Sequence, residues 1–362
     1  MKHVRVLLAS ATLEAGHGGI ARVGRMTAAA LAEAGARPTL LSYLDGKSEP
    51  VGDMRIHGAR GSRAAFLTLR GALALNHTHI IYDHVGLARA PMLMPVRRPT
   101  CIWIHGEEIW DNLRPNHKAI LQAADLILVN SHYTLERFQK LHGRLDRARV
   151  CWLGTEADDE AWEPDPAPKR RPTVLMLGRM LSGEPGKGHA EIIDCWHDIV
   201  AAVPEARLLI GGRGSAVEAL KARALRSLAA DSIEFAGFVP DSEITSVWRQ
   251  ASVFALPSRQ EGFGIVYAEA MQRSIPVIAS VHDAGAEINQ DGVTGFNIDL
   301  TRRDQIVDAI KRLLLDESLA RTMGRRGRER WLAQFSYPRF QARFMANIQD
   351  FLQAKALANA VL

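Results

Sequence analysis

The sequence predicts an α/β protein built from two Rossmann-like domains, each around a parallel sheet, with ligand held in the cleft that they face. Three observations carry this. Short apolar runs alternate with helical segments in two successive series, the pattern of βαβ units. Between the series, residues 163–172 hold prolines at 164, 166, 168 and 172 with little apolar content, the composition of a linker. At 362 residues the chain is long for a single core. The expected boundaries are a first domain at 1–163, a linker at 164–172, a second domain at 173–335 and a C-terminal helical segment at 336–362.

In the first series the strand-like runs are residues 4–9, 39–43, 79–82, 100–104, 126–129 and 150–153. Gly16-His17-Gly18-Gly19-Ile20 follows the first of them and precedes a helical segment, so its backbone can approach a ligand at a helix N-terminus. As a glycine loop it is also compatible with any tight βα turn. His105 follows the buried run at 101–104, which puts it at the carboxyl end of a strand. His77, His79 and His84 are comparably close to a strand and read as structural or surface groups. Asn130-Ser131 reads as a helix cap. Arg137, Lys140, Arg144, Arg147 and Arg149 outnumber the acids around them, a candidate membrane-facing or acceptor-facing patch.

The second series comprises residues 173–177, 207–210, 232–235, 253–256, 276–279 and 295–298. Gly178-Arg179 ends the first of these runs, and Lys187-Gly188 follows a glycine- and proline-containing loop. Two cations thus lie at the mouth of a strand-to-helix crossover, where a doubly wound sheet binds ligands. Arginine bridges phosphate oxygens through its fork and lysine supplies a point charge. Glu261-Gly262-Phe263-Gly264-Ile265 then leads into a helix expected over 264–272 that carries Glu269. At ~1.5 Å per residue the two carboxylates stand roughly 12 Å apart, the span from hexose to ribose across a diphosphate. The free N–H groups of Phe263, Gly264 and Ile265 can receive a phosphate between them.

Composition sets limits. With 47% apolar and 23% charged residues the chain is an ordinary soluble protein, and 6% aromatics suggest no stacking surface for nucleic acid. A formal charge of +5 suits anionic substrates or peripheral contact with an anionic membrane. Three cysteines without metal-type spacing predict neither disulfide framework nor zinc site. The early apolar run is too short for a signal peptide, and no stretch approaches ~20 uninterrupted apolar residues, so a cytoplasmic protein is expected.

Taken together, these motifs resemble retaining glycosyltransferase family 4, whose architecture is GT-B. The resemblance rests on Gly16-His17-Gly18-Gly19, His105-Gly106-Glu107, Asn130-Ser131, Gly178-Arg179 with Lys187-Gly188, Phe235-Ala236-Gly237-Phe238-Val239 and the Glu261 to Glu269 motif, in the family's order over nearly the whole length. It departs at Leu153-Gly154-Thr155-Glu156, where many members carry an Asn-Gly turn. The resemblance implies transfer from a UDP- or GDP-linked sugar to an acceptor glycan, lipid-linked sugar or small molecule, with no cofactor and no metal. It also implies catalytic roles for His105, Arg179, Lys187 and Glu261. Donor contacts follow from Gly18, Gly19, Gly178, Phe238, Val239, Phe263, Gly264, Ile265 and Glu269, with Phe238 and Val239 passing along the base. In GT-B proteins the final helix commonly crosses back to the first domain. Glu107 and Glu108 are alternative acceptor guides.

Competing readings are a sugar-nucleotide epimerase, a phosphorylase or a non-catalytic nucleotide-sugar-binding subunit. A dehydrogenase would use Gly16, Gly18, Ala21 and Asp45 as a dinucleotide fingerprint but leaves the second-half constellation unexplained.

Overall fold

The structure is a computed structural model that describes residues 4–46, 50–88, 97–111, 113–156, 171–183 and 186–354. Most of the stretch expected as a linker lies outside these residues. The chain divides into two compact units, one of residues 1–153 with 337–362 and the other of residues 154–336.

The first unit carries a seven-stranded sheet in the order β3-β2-β1-β4-β5-β6-β7, parallel throughout. Its strands are β1 (Arg5–Ser10), β2 (Arg37–Ser42), β3 (Ile56–Gly58), β4 (His79–Tyr82), β5 (Thr100–Ile104), β6 (Leu126–Val129) and β7 (Ala148–Val150). Between them run α1 (Gly19–Glu33), α2 (Arg63–Leu75), α3 (Pro115–Ala123) and α4 (His132–His142). The central strands read as apolar runs because both faces are covered: every residue of β4 and β6 is buried. The edges read poorly. β3 has one apolar residue in three and escapes the pattern, while of the run expected at 150–153 only Val150 is in a strand. Cys151 still donates its N–H to Val129 O (2.7 Å), and Cys151 and Leu153 are buried without belonging to a strand, with Trp152 half-buried between them.

The second unit has a six-stranded parallel sheet in the order β10-β9-β8-β11-β12-β13. The strands are β8 (Thr173–Leu177), β9 (Arg207–Gly211), β10 (Ile233–Gly237), β11 (Val253–Ala255), β12 (Val277–Ser280) and β13 (Gly295–Ile298). Its helices are α5 (His189–Ala202), α6 (Val217–Ala224), α7 (Asp241–Gln250), α8 (Ile265–Gln272), α9 (Gly285–Ile288), α10 (Arg303–Leu315) and α11 (Glu317–Arg330). A wide helical turn at Trp331–Phe335 closes the unit. Thr155 belongs here because the Trp331 indole donates to its hydroxyl (2.7 Å), which in turn donates to Gln272 (3.0 Å).

The last helix, α12 (Tyr337–Gln353), completes the first unit. Phe340 and Phe344 stack on each other and on Trp103 of β5, with ring centroids 5.8–6.5 Å apart. Arg343 donates to Trp152 O (2.8 Å) and Asn347 to Val150 O (3.1 Å). In each sheet the strand order reverses at one place, between β1 and β4 and between β8 and β11. Loops leave the carboxyl ends in opposite directions there and open a crevice.

Candidate active site

The crevice of the second unit is built from the loops after β8 and β11. Lys187, just before α5, and Glu261, in the β11–α8 loop, form an ion pair with both side chains about 15% exposed. Gly178 lies beneath them, and a side chain there would sit 3.4 Å from Lys187 Cδ. Gly188 caps α5 at φ 81°, where a Cβ would meet Pro257 O at 2.6 Å. At position 188 only glycine lets the two loops close to this distance. His189, the next residue, is buried, and burial with the nearby Lys187 charge pushes its pKa down to about 4. It is therefore neutral and adds no charge to the crevice. Arg179 stands exposed at the end of β8.

Beyond Glu261 the chain enters α8 through Gly264, at φ 80°, with its missing side chain facing the Tyr267 ring. The first free helical N–H groups are those of Ile265 and Val266. The Phe263 side chain is buried against Phe335 (5.9 Å), so only its backbone can serve a ligand. Tyr267 locks the turn from below by donating its hydroxyl to Leu256 O (2.5 Å). Glu269 lies one further turn along α8, half-buried. Phe238 is exposed, with the Arg213 guanidinium 4.7 Å over its ring, and Val239 packs behind it near Gly211. The Gly211–Gly214 turn is stitched to the loop after β8 by Gly178 N–H to Gly211 O (3.1 Å) and Met180 N–H to Arg213 O (3.1 Å).

The sequence reading missed Asp283. It is 2% exposed, accepts the Glu261 N–H (3.0 Å) and the Gly285 N–H (2.8 Å), and is pushed up to about 7 by burial and by the Glu261 charge. Its signal in the sequence was an acid at a βα loop four residues beyond the apolar run 276–279.

In the first unit His105 caps β5. Its Nε2 donates to Asp83 O (2.7 Å), its backbone N–H to Glu108 (2.5 Å), and its carbonyl accepts from Asn130 Nδ2 (2.8 Å). Burial holds its pKa below the ordinary value, so the neutral ring presents Nδ1 as an acceptor. That suits a bond from a hydroxyl. Glu108 is thus committed to His105, and Asn130 serves His105 while Ser131 alone caps α4 through Thr134 N–H (3.0 Å). Gly18 and Gly19 open α1 in an exposed loop. Asp45 accepts from Thr12 Oγ1 (2.6 Å) and Leu13 N–H (2.7 Å), which consumes the carboxylate that a dinucleotide reading needs for a ribose. Most cations of the 137–149 patch are also engaged: Arg137 with Asp111, Arg144 with Asp146, Arg149 with Asp350 and Arg147 with Ala124 O.

Asp83 itself is fully buried and pushed up to about 7, mainly by desolvation. Ser10 Oγ contacts both Asp83 Oδ2 and Thr12 O, yet has one proton to give. A neutral Asp83 that donates to Ser10 satisfies both contacts. Between pH ~4 and ~7 the folded protein therefore holds a proton that the unfolded chain has lost, and this contribution to stability declines as pH rises, levelling above ~7. Urea unfolding should show wild type losing stability relative to Asp83→Asn by up to ~1.4 kcal/mol per pH unit across that window. Parallel curves would refute the assignment.

Residues 158–330 match the family described as glycosyl transferases group 1. A GDP-mannose-dependent alpha-(1-6)-phosphatidylinositol monomannoside mannosyltransferase of Mycobacterium tuberculosis is 31% identical over 270 residues, covering 69% of this chain and 68% of the relative. The chain belongs to the group 1 glycosyl transferases. A phosphatidyl-myo-inositol mannosyltransferase of the same organism is 40% identical over 132 residues, 36% of this chain and 34% of that one. Sucrose-phosphate synthase of Thermosynechococcus elongatus superposes with TM-score 0.82 at 20% identity, over 97% of this chain and 100% of that one. HepE of Anabaena, solved with UDP and glucose, gives 0.75 at 18% over 96% and 100%. These solved structures share the GT-B fold of this group 1 glycosyl transferase. Among its described residues no three or more His, Cys, Asp or Glu side chains are grouped to hold a metal, and no helix is long and apolar enough to cross a membrane.

Proposed function

We propose that this glycosyl transferase moves a hexose-type sugar from a nucleoside diphosphate to an acceptor hydroxyl, with retention at the anomeric carbon and without a metal. The observation that carries the reading is the Lys187–Glu261 pair at the β8/β11 switch point, directly before the helix N-terminus at Gly264. In the reaction the bond from anomeric carbon to phosphate oxygen breaks, and negative charge grows on the diphosphate. Lys187, Arg179 and the α8 N-terminus supply fixed positive charge there, which preorganised sites use in place of solvent. Glu261 holds sugar hydroxyls and Glu269 the ribose, while His105 accepts a sugar hydroxyl through Nδ1. The acceptor attacks on the face that the phosphate leaves, and the departing phosphate oxygen takes its proton.

Gly18, Gly19, Gly178, Phe263 and Ile265 contact the donor phosphates through backbone, and Phe238 and Val239 flank the base. The name of the 31% identical mycobacterial relative supports GDP-mannose as donor, and both mycobacterial names support a phosphatidylinositol-type glycolipid as acceptor. In this reading the chain meets that acceptor by peripheral contact with an anionic membrane. A thermal-shift panel of GDP-, UDP- and ADP-sugars tests this, since a ligand at 100 times its Kd adds about 2.7 kcal/mol to native stability. GDP-mannose should raise the melting temperature with or without chelator, and Arg179→Ala should abolish the shift. A shift lost in chelator would overturn the metal-free reading.

A further inference from the structure

We propose that Asp283 is a positioning residue for Glu261, holding the sugar-binding carboxylate, and through it Lys187, in its working place. The inference rests on the reading that Glu261 binds the transferred sugar.

The geometry is a clamp on one residue by one dipeptide. Asp283 Oδ2 accepts the Glu261 N–H (3.0 Å), and Ala284 donates its own N–H to the Glu261 carbonyl (3.1 Å). Both backbone polar groups of Glu261 are therefore held by the β12–α9 loop. The loop is itself anchored, because Asp283 Oδ1 accepts the Gly285 N–H (2.8 Å) and Arg330 donates to the α9 carbonyls of Ile288 (2.8 Å) and Glu287 (3.0 Å). Two N–H donors meet two different oxygens of Asp283. Asparagine offers one acceptor oxygen, and its amide would set N–H against N–H at the other position. Only a carboxyl group fits both.

A buried acid is a costly way to close a loop. Asp283 is 2% exposed, and the groups facing it are Glu261, Lys187 and Tyr267 from the loops and helix around it, His282 being turned to Asp299 (2.8 Å). A capping serine would serve Gly285 alone. The second bond, to Glu261, is the one that needs the carboxyl, and its effect falls on the crevice.

The test compares bare nucleotide with sugar nucleotide, using GDP and GDP-mannose, or UDP and UDP-glucose if those give the thermal shift. Calorimetric Kd values are taken for the full-length wild type, Asp283→Asn, Glu261→Ala and the double variant. Asp283→Asn should weaken the sugar nucleotide about ten-fold, ~1.4 kcal/mol, while leaving the bare nucleotide within about two-fold. In the Glu261→Ala background the same change should add nothing. Ala284→Pro, whose φ of −64° suits proline, removes the other half of the clamp and should show the same selective loss should Asp283→Asn not fold. Additive effects, equal loss of both ligands, or wild-type affinities in Asp283→Asn would overturn the inference while leaving the site reading intact. If Glu261→Ala itself binds sugar nucleotide as wild type does, the site reading falls and the inference with it.

Discussion

Replacing Glu261 or Lys187 by alanine is expected to leave a folded protein whose transfer rate falls by on the order of 10²–10³-fold. Losses of that size accompany removal of one preorganised charge partner from a transition state. The two side chains are mutually paired and about 15% exposed, so each single variant leaves its former partner short of a counter-charge. For that reason Lys187→Ala should fall chiefly in kcat, as the diphosphate loses its cation. Glu261→Ala should fall in both kcat and sugar affinity. Initial rates with the donor that gives a thermal shift, alongside melting curves, check this. Wild-type turnover by both folded variants would remove the crevice between β8 and β11 from consideration as the site.

The largest expected stability effect lies elsewhere. Phe344→Ala should lower the stability of the first unit by about 3–5 kcal/mol, the range for deleting a buried aromatic ring from a core that cannot collapse. Phe344 is fully buried, stacked 5.8 Å from Phe340 and 6.2 Å from Trp103. It lies on α12, which follows the whole second unit in sequence. Urea unfolding followed by tryptophan fluorescence would report the change, since Trp103 is in the stack. A loss below about 1 kcal/mol would mean that α12 is dispensable to the sheet that it covers.

The polar groups of the two units differed in how legible they were in the sequence. Lys187 and Glu261 were readable because each sits at a glycine-marked βα loop after an apolar strand. His105 was readable as a residue, but its tautomer was not, since that depends on Asp83 O arriving from another strand. Asp283 and Asp83 passed unnoticed because an isolated aspartate in a loop looks the same whether it faces water or is buried against backbone N–H groups. In the basic stretch at 137–149 the partners were equally invisible: several of its arginines find carboxylates or carbonyls from Asp111, Ala124 and Asp350, remote in sequence.

By itself the sequence determined the alternation of strands and helices in two series, the central strands, and the loops that carry the cations and carboxylates of the second unit. Apolar runs and glycine punctuation are local properties, and parallel sheets buried on both faces express them strongly. Only the tertiary structure decided the edge strand β3, the truncated β7, the docking of α12, and the buried acids behind His105 and Glu261. Those depend on what approaches from tens or hundreds of residues away, and burial, which sets the charge state of Asp83 and Asp283, is a property of the packed fold and not of neighbouring residues in the chain.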